Sequence, residues 1–110
     1  MRIIKIGNEE FQLHYGQNSI CALEDELNES ISEIFARLGK NKVKFKDFRT
    51  ILWAGLLYGR RTLTPEAVGD MCDKAKVKIT DLIPECVAEL NESFASFLSE
   101  TAPEEADSKN

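Results

Sequence analysis

The side chains that could do chemistry in this 110-residue sequence are few and are spread along the chain. The single histidine, His14, is a candidate for proton transfer at neutral pH, and Cys21 is the nearest thiol that it could activate. No third residue to orient this pair and no oxyanion-hole motif accompanies it, so we predict no catalytic site. On a predicted strand, opposite Phe11 and Leu13, His14 instead fits a solvent-facing or cross-strand position.

The three cysteines, Cys21, Cys72 and Cys86, also lack the pattern of a metal site. They do not show the CxxC or HxxxH spacing of zinc ligands, and each lies in an apolar pattern with a helical period. Their odd number favours buried thiols of a reducing cytosol over a disulfide framework. Asp70 and Asp73 do not form a calcium loop, because Cys72 replaces an oxygen ligand. We therefore expect no metal, no cofactor and no enzymatic activity.

Charge is distributed unevenly along the chain, although the net charge is only −5. Residues 37–61 carry eight basic side chains and one acidic side chain, whereas both flanking segments are acidic. The first part of this segment is a candidate for contacts with phosphates, with an acidic protein surface or with the acidic flanks of the same fold. A solvated loop is the alternative. This basic patch consists of Arg37, Lys40, Lys42, Lys44, Lys46 and Arg49.

Nucleic acid is a disfavoured partner in spite of the basic patch. A helix-turn-helix would present a basic second helix to the groove, whereas the helix after the basic linker is the most apolar one in the chain. No membrane contact is expected, since no segment approaches the ~18 consecutive apolar residues of a membrane span. We also expect a soluble protein without a signal peptide, because the N-terminal apolar run is short.

Hydrophobic periodicity predicts the elements that would position these side chains. Alternation over residues 2–15, with Gly7 and Asn8 at the turn, predicts a β-hairpin. We expect an α+β, mainly α fold, in which this hairpin packs on a compact bundle of about five helices in one globular domain, residues 1–99. Residues 100–110 are acidic and lack large apolar side chains, so we expect a disordered, flexible tail. The predicted helices lie at about residues 18–28, 30–39, 45–59, 64–76 and 80–99.

Local capping signals indicate where several of these helices begin. Ser30 and Glu33 match a capping box, and Thr64 with Pro65 matches a helix start with proline at the first position. Residues 18–19 offer the natural cap of the first helix.

Four motifs together resemble a known family. They are the hairpin ending in YG and the segments ICALEDELNESISEIFARLG, KDFRTILWAGLLYG and LTPEAVGDMCDKA. Over roughly residues 2–98 the chain is similar to the small tail assembly chaperones of long-tailed bacteriophages and to related gene-transfer-agent tail proteins. Lys44 departs from the family pattern, since a capping Ser or Thr is expected there, and the linker is unusually basic.

The resemblance implies a non-enzymatic role in the cytoplasm of the bacterial host. Such a protein would bind the tape measure protein, with tail tube subunits as a further client, and would be absent from the mature virion. The sequence leaves open two alternatives, another phage morphogenesis or head-tail connector component and a small nucleic-acid-binding regulator that uses the basic linker 37–49. Self-association is also left open.

A client with long apolar helices would need an apolar acceptor surface surrounded by charge. The helix predicted over residues 45–59 is apolar around almost its whole circumference, so part of it is available for such a role. The alternative is that all the candidate side chains belong to the ordinary core. The candidate partner-binding residues, from this helix and the outer side of the last one, are Trp53, Leu57, Tyr58, Phe94 and Phe97.

Overall fold

The computed structural model describes the backbone of residues 1–108 and the side-chain surroundings of residues 1–96. Within these residues, two strands and five helices follow one another in the predicted order, which confirms the α+β, mainly α fold. No helix of this described part has both the length and the apolar character that a bilayer span requires. The elements are β1 (Arg2–Ile6), β2 (Glu9–Leu13), α1 (Gln17–Leu27), α2 (Ile31–Gly39), α3 (Phe45–Leu56), α4 (Pro65–Ala75) and α5 (Ile79–Ser108).

β1 and β2 form an antiparallel hairpin with one buried face. Ile4 pairs with Phe11 in the strand register, and the two-residue turn contains Gly7 at φ +66°. Glycine adopts this left-handed conformation without a steric cost, which suits a tight hairpin turn. β2 ends at Leu13 rather than at residue 15, but Tyr15 continues into the core. The inward side chains of the alternation, Ile4, Ile6, Phe11 and Leu13, are all buried.

α3 is the central helix, and it contacts α1, α4, α5 and the hairpin. Gly55 lies under the hairpin, because a Cβ atom there would come within 2.5 Å of Leu13 Cδ1 and 2.8 Å of Tyr15 Cζ. The His14 N–H donates to the Gly55 carbonyl at 3.1 Å, and the Tyr15 hydroxyl donates to the Ile51 carbonyl at 2.6 Å. The hairpin therefore covers one side of α3, and α1, α4 and α5 pack against other sides. The buried apolar side chains of α3 are Ile51, Leu52, Ala54 and Leu56.

Local signals determine two helix starts as predicted. At α2, the Glu33 N–H donates to the Ser30 hydroxyl at 3.1 Å and the Ser30 N–H donates to the Glu33 carboxylate at 2.8 Å. At α4, the Thr64 hydroxyl accepts the Ala67 N–H at 3.1 Å, and Pro65 occupies the first helical position. Both predictions are confirmed. They could be made from the sequence because the groups involved are close in sequence and need no tertiary contact.

The predicted cap of the first helix is wrong. α1 begins at Gln17, and its N-cap is Gly16, which is extended and gives no side-chain cap. Ser19 is buried instead, and its hydroxyl donates to the His14 carbonyl at 3.3 Å. The hairpin leads into α1 within a few residues, so the packing of the hairpin on α3 decides where α1 starts.

α3 begins at Phe45, as predicted, although the Lys44 side chain makes no capping hydrogen bond. Asp47 accounts for this start, because its carboxylate accepts the Lys44 backbone N–H at 2.7 Å. The helix ends at Leu56, before the predicted residue 59. The Gly59 N–H bonds back to the Leu56 carbonyl at 3.2 Å, so the chain leaves the helix through a tighter turn.

The last helix is longer than predicted. α5 extends to Ser108, beyond the predicted end at residue 99. Alanine and glutamate recur in this segment, and both are strong helix formers. The side chains of residues 97–110 lie outside the described part of the chain, so the flexibility of the predicted tail, residues 100–110, stays a prediction.

Candidate partner-binding surfaces

The side chains considered for catalysis are held in structural positions. His14 Nδ1 is hydrogen-bonded to the Glu89 carboxylate at 2.9 Å. The prediction of buried thiols is confirmed for Cys72 and Cys86 and wrong for Cys21, which is exposed because it lies on the outer side of α1. Burial raises the pKa of the Cys72 thiol and raises that of the Cys86 thiol to about 11, so both remain protonated at neutral pH. Among the described residues, no group of three or more His, Cys, Asp and Glu side chains is placed to hold a metal ion.

A buried carboxylate, which sequence reasoning missed, lies between α5 and the hairpin. Glu89 is 2% exposed, and its oxygens lie 3.1 Å from the Met1 amino group, 3.2 Å from Arg2 Nε and 2.9 Å from His14 Nδ1. Burial alone would raise the pKa of Glu89, but hydrogen bonds from His14 and the amino group more than offset this effect and lower it. The apolar pattern of α5 predicts that Leu90 is buried. No local sequence signal indicates that Glu89, the residue before it, is buried as well.

Trp53, one of the predicted partner-binding residues, is half-buried on α3. Its indole N–H donates to the Leu63 carbonyl at 2.8 Å, which ties α3 to the loop before α4. Its ring packs against the buried core. Both the polar and the apolar part of this side chain therefore have partners within the chain.

Leu57 and Tyr58 lie together at the end of α3. With Arg61 and residues 16–19 they line a cavity of about 490 Å³, which we call the Tyr58 cavity. Tyr58 is 52% exposed, and its ring meets the edge of the His14 ring at a centroid distance of 4.8 Å. The structure thus brings these two predicted residues to one concave, partly open surface.

Phe94 has a different neighbourhood. Its half-buried ring packs on Phe35 of α2 with a centroid distance of 5.1 Å. The side chain of Phe97 lies outside the described residues. The predicted acceptor surface is therefore divided: Trp53 is bonded to Leu63, Phe94 is stacked on Phe35, and the Tyr58 cavity lies apart from both of these contacts.

Arg37, the first residue of the predicted basic patch, is engaged within the fold. Its guanidinium donates to the Asp47 carboxylate at 2.6 and 3.2 Å and to the Glu29 carboxylate at 2.9 and 2.5 Å. It also donates to the Lys42 carbonyl at 3.0 Å. We call Glu29, Arg37 and Asp47 the Arg37 clamp. It joins α2 to the start of α3 and to the segment that follows α1.

The clamp also stabilises the charged forms of its members. Hydrogen bonds to Glu29 and Asp47 raise the pKa of Arg37, and the hydrogen bond from Arg37 lowers the pKa of Glu29. Burial alone would raise the pKa of Asp47, but hydrogen bonds from Arg37 and from the Lys44 N–H lower it overall. Asp47 is buried and Arg37 and Glu29 are half-buried, so this ion pair network is shielded from solvent more than a surface pair is.

The four lysines of the basic patch, in contrast, are exposed. Among the described residues, none of them has a carboxylate within 4.0 Å. Three of them line a cavity of about 600 Å³ together with acidic side chains of the Arg37 clamp, so the local charge is mixed. The exposed set is Lys40, Lys42, Lys44 and Lys46.

A groove that sequence reasoning missed lies beside the start of α3. Phe45 is 64% exposed, and its ring meets the edge of the Phe48 ring at a centroid distance of 6.0 Å. The cavity has a volume of about 660 Å³ and extends to the connection between α4 and α5. A signal was present, since Phe45 is an aromatic residue between two lysines, but the sequence pattern predicts residue 45 only as the start of a helix. We call this the Phe45 groove, and its lining includes Phe45, Lys46, Arg49, Asp73, Val77 and Lys78.

Comparison with known proteins gives a match along most of the chain. A family model described as phage tail tube protein, GTA-gp10, matches residues 3–95, which span the hairpin, α1 to α4 and more than half of α5. No curated protein and no solved structure matches the chain. The resemblance seen in the sequence is confirmed at the level of a phage tail protein. The chain belongs to the family described as phage tail tube protein, GTA-gp10.

Proposed function

We propose that this phage tail protein is a tail assembly chaperone that binds the tape measure protein, with tail tube subunits as a further client, and keeps them soluble during tail morphogenesis. The proposal assigns the protein no enzymatic activity, a location in the cytoplasm of the bacterial host, and no place in the mature virion. Family membership supports a role in the phage tail. The four sequence motifs that resemble tail assembly chaperones support the finer assignment.

The observation that carries the chaperone role is the presence of exposed aromatic side chains beside arginines on a fold whose core is filled. Leu13, Ile34 and Leu90 show how completely the chain covers its own interior, since each has 0% exposure. Phe45 and Tyr58 are nevertheless more than half exposed, and each borders a cavity that also contains an arginine. Apolar surface with a polar rim is typical of sites that bind other proteins.

Co-expression with the tape measure protein of the same phage tests this proposal. We expect the tape measure protein to stay in the soluble fraction only when the chain is present, and the two to elute together from a size-exclusion column. A tape measure protein that is equally soluble alone, or that always elutes apart from the chain, would overturn the proposal. The control variant Ile3→Ser should keep the tape measure protein soluble as the wild-type chain does, since Ile3 is exposed on the hairpin and borders neither cavity.

A tail tube subunit is the second candidate, and the description of the matching family favours it. Such a subunit would bind further copies of itself in a repeating, head-to-tail arrangement. Electron microscopy of the purified chain, with and without tape measure protein, separates the candidates. Rings or tubes support a tube subunit, whereas a soluble complex of fixed size supports the chaperone. Mass spectrometry of purified virions gives a second readout, because only the tube subunit would remain in the particle.

A further inference from the structure

The charge of the Phe45 groove is opposite in sign to that of the chain. Its lining holds the basic side chains of Lys46, Arg49 and Lys78 and only one acidic side chain, that of Asp73, whereas the chain carries a net charge of −5. Lys44, which precedes Phe45 in sequence, is exposed as well. A negatively charged ligand is therefore attracted to this site and repelled by much of the remaining surface.

Arg49 has a donor in the groove without an acceptor and only a long ion pair. Its Nε is buried without a hydrogen-bond acceptor, and the carboxylate within reach, that of Glu66, lies 3.9 Å from Nη2. The side chain is 29% exposed, so its outer donors remain accessible. A guanidinium binds a carboxylate most strongly through two parallel hydrogen bonds. No described carboxylate accepts two such hydrogen bonds from Arg49.

Phe45 supplies the apolar part of the same groove. Its described aromatic contact is the edge of Phe48, and most of its ring is open to solvent. Val77, from the α4–α5 connection, and Ile79, the first residue of α5, line the groove with it. A large apolar side chain placed here would cover the Phe45 ring and remove apolar surface from water.

We propose that the Phe45 groove binds an acidic segment of the client protein, in which a large apolar side chain packs on Phe45 and Val77 while a carboxylate binds Arg49 and Lys46. The identity of the client rests on the proposed function, and the inference adds where the client binds and what chemistry it presents. Charge complementarity selects this occupant over a basic segment. A second copy of the chain and a nucleic acid are the competing occupants that the test must separate.

Fluorescence anisotropy with labelled peptides that tile the tape measure protein tests this inference on the full-length chain. We expect binding by peptides in which Asp or Glu lies near Leu, Ile or Phe, and we expect the affinity to fall as salt rises. Phe45→Ser and Arg49→Glu should each weaken binding by about tenfold or more. The control variants Ile3→Ser and Lys5→Glu, at exposed positions of the hairpin that do not line the groove, should stay within about twofold of wild type.

A charge exchange gives a readout that a merely structural effect would not produce. A bound peptide with Glu replaced by Lys should lose affinity for the wild-type chain and recover it with Arg49→Glu. Thermal melts check folding, and we expect both groove variants to melt near wild type because Phe45 is 64% exposed and the carboxylate nearest to Arg49 lies 3.9 Å away.

The remaining outcomes overturn the inference. They are the absence of any bound peptide, equal affinity for the groove variants and wild type, and equal losses in the two control variants. Two further results also overturn it. One is binding of a labelled oligonucleotide that depends on Phe45 and Arg49 when no peptide binds. The other is self-association of the chain that the groove variants abolish. The proposed function fails separately, when the full-length tape measure protein does not elute with the wild-type chain.

Discussion

Arg37 and Arg49 belong to the same basic stretch of sequence, but their surroundings in the fold are opposite. Arg37 donates to two carboxylates and a backbone carbonyl and so connects three parts of the chain. Arg49 has one carboxylate within 4.0 Å, at 3.9 Å, and a buried Nε without an acceptor. The comparison teaches that a run of basic residues is not a uniform surface, because part of it builds the fold and part of it is available to other molecules.

The two regions also differ in what surrounds the cation. The Arg37 clamp contains the buried carboxylate of Asp47, which also accepts the Lys44 backbone N–H at the start of α3. The Phe45 groove contains an exposed ring and an excess of basic side chains. We therefore expect changes in the clamp to affect stability and changes in the groove to affect binding.

Removing Asp47 should have the largest effect on stability. Asp47→Ala leaves Arg37 partly buried without one of its carboxylates and removes the acceptor of the Lys44 N–H. Breaking such a pair costs about 3 kcal/mol, and the lost helix cap adds about 1 kcal/mol. Urea unfolding followed by circular dichroism measures the loss. Asp47→Asn keeps an acceptor for the Lys44 N–H and should lose less stability. A loss below about 1 kcal/mol in Asp47→Ala would show that the clamp does not stabilise the fold.

Replacing each arginine by glutamine compares the two regions directly. Arg37→Gln should lower the free energy of unfolding by about 2 kcal/mol, because Glu29 and Asp47 lose their shared donor. Arg49→Gln should stay within about 0.5 kcal/mol of wild type. Thermal melts of the two variants in one buffer provide the measurement. Equal losses would contradict the contrast between a guanidinium hydrogen-bonded to two carboxylates and one with a single long ion pair.

Acid should weaken the clamp. The pKa values of Asp47 and Glu29 are lowered by folding, from about 3.9 and 4.3 in unfolded chains. A carboxyl with a lowered folded pKa contributes stability above its unfolded pKa and loses that contribution as pH falls through the folded value. The free energy of unfolding should therefore fall below about pH 4, and fall less in Asp47→Asn.

Glu89 affects this measurement in the same direction, because its pKa is also lowered in the folded chain. Glu89→Gln serves as the second variant in the same pH series. An acid transition of unchanged size in Asp47→Asn, together with a smaller one in Glu89→Gln, would assign the pH dependence to the hairpin contact instead of the clamp.

The exposed lysines should have the smallest effect on stability. Replacing Lys40, Lys42, Lys44 and Lys46 by glutamine should change the free energy of unfolding by less than about 0.5 kcal/mol each, since none has a described ion pair. A variant that carries all four replacements tests the regulator hypothesis through filter binding of labelled DNA. Wild-type binding that weakens steeply with salt and is lost in the variant would support a nucleic-acid role.

Features that depend on near neighbours in sequence were predictable. The capping box of Ser30 and Glu33, the Thr64 cap and the glycine turn of the hairpin each use groups only a few residues apart. The five helices followed from apolar spacing, and the resemblance of four motifs was correct at the level of a phage tail protein.

Features that depend on distant contacts were not predictable. Glu89 is buried because basic groups of the hairpin reach it, and His14 lies 75 residues earlier in the chain. Phe45 is the first residue of an otherwise apolar helix, and its 64% exposure depends on how that helix packs in the fold. Arg37 reads as one of several surface cations until the fold brings Glu29 and Asp47 to it.

The contact of the hairpin with Gly55 has a consequence for synthesis on the ribosome. An isolated two-stranded ribbon is marginal in water at best, so the strands at the start of the chain have little reason to persist when they first emerge. Their partner, α3, is translated only after two further helices. The hairpin is therefore made before the helix that stabilises it, and nascent chains arrested before α3 should leave the hairpin open to proteases.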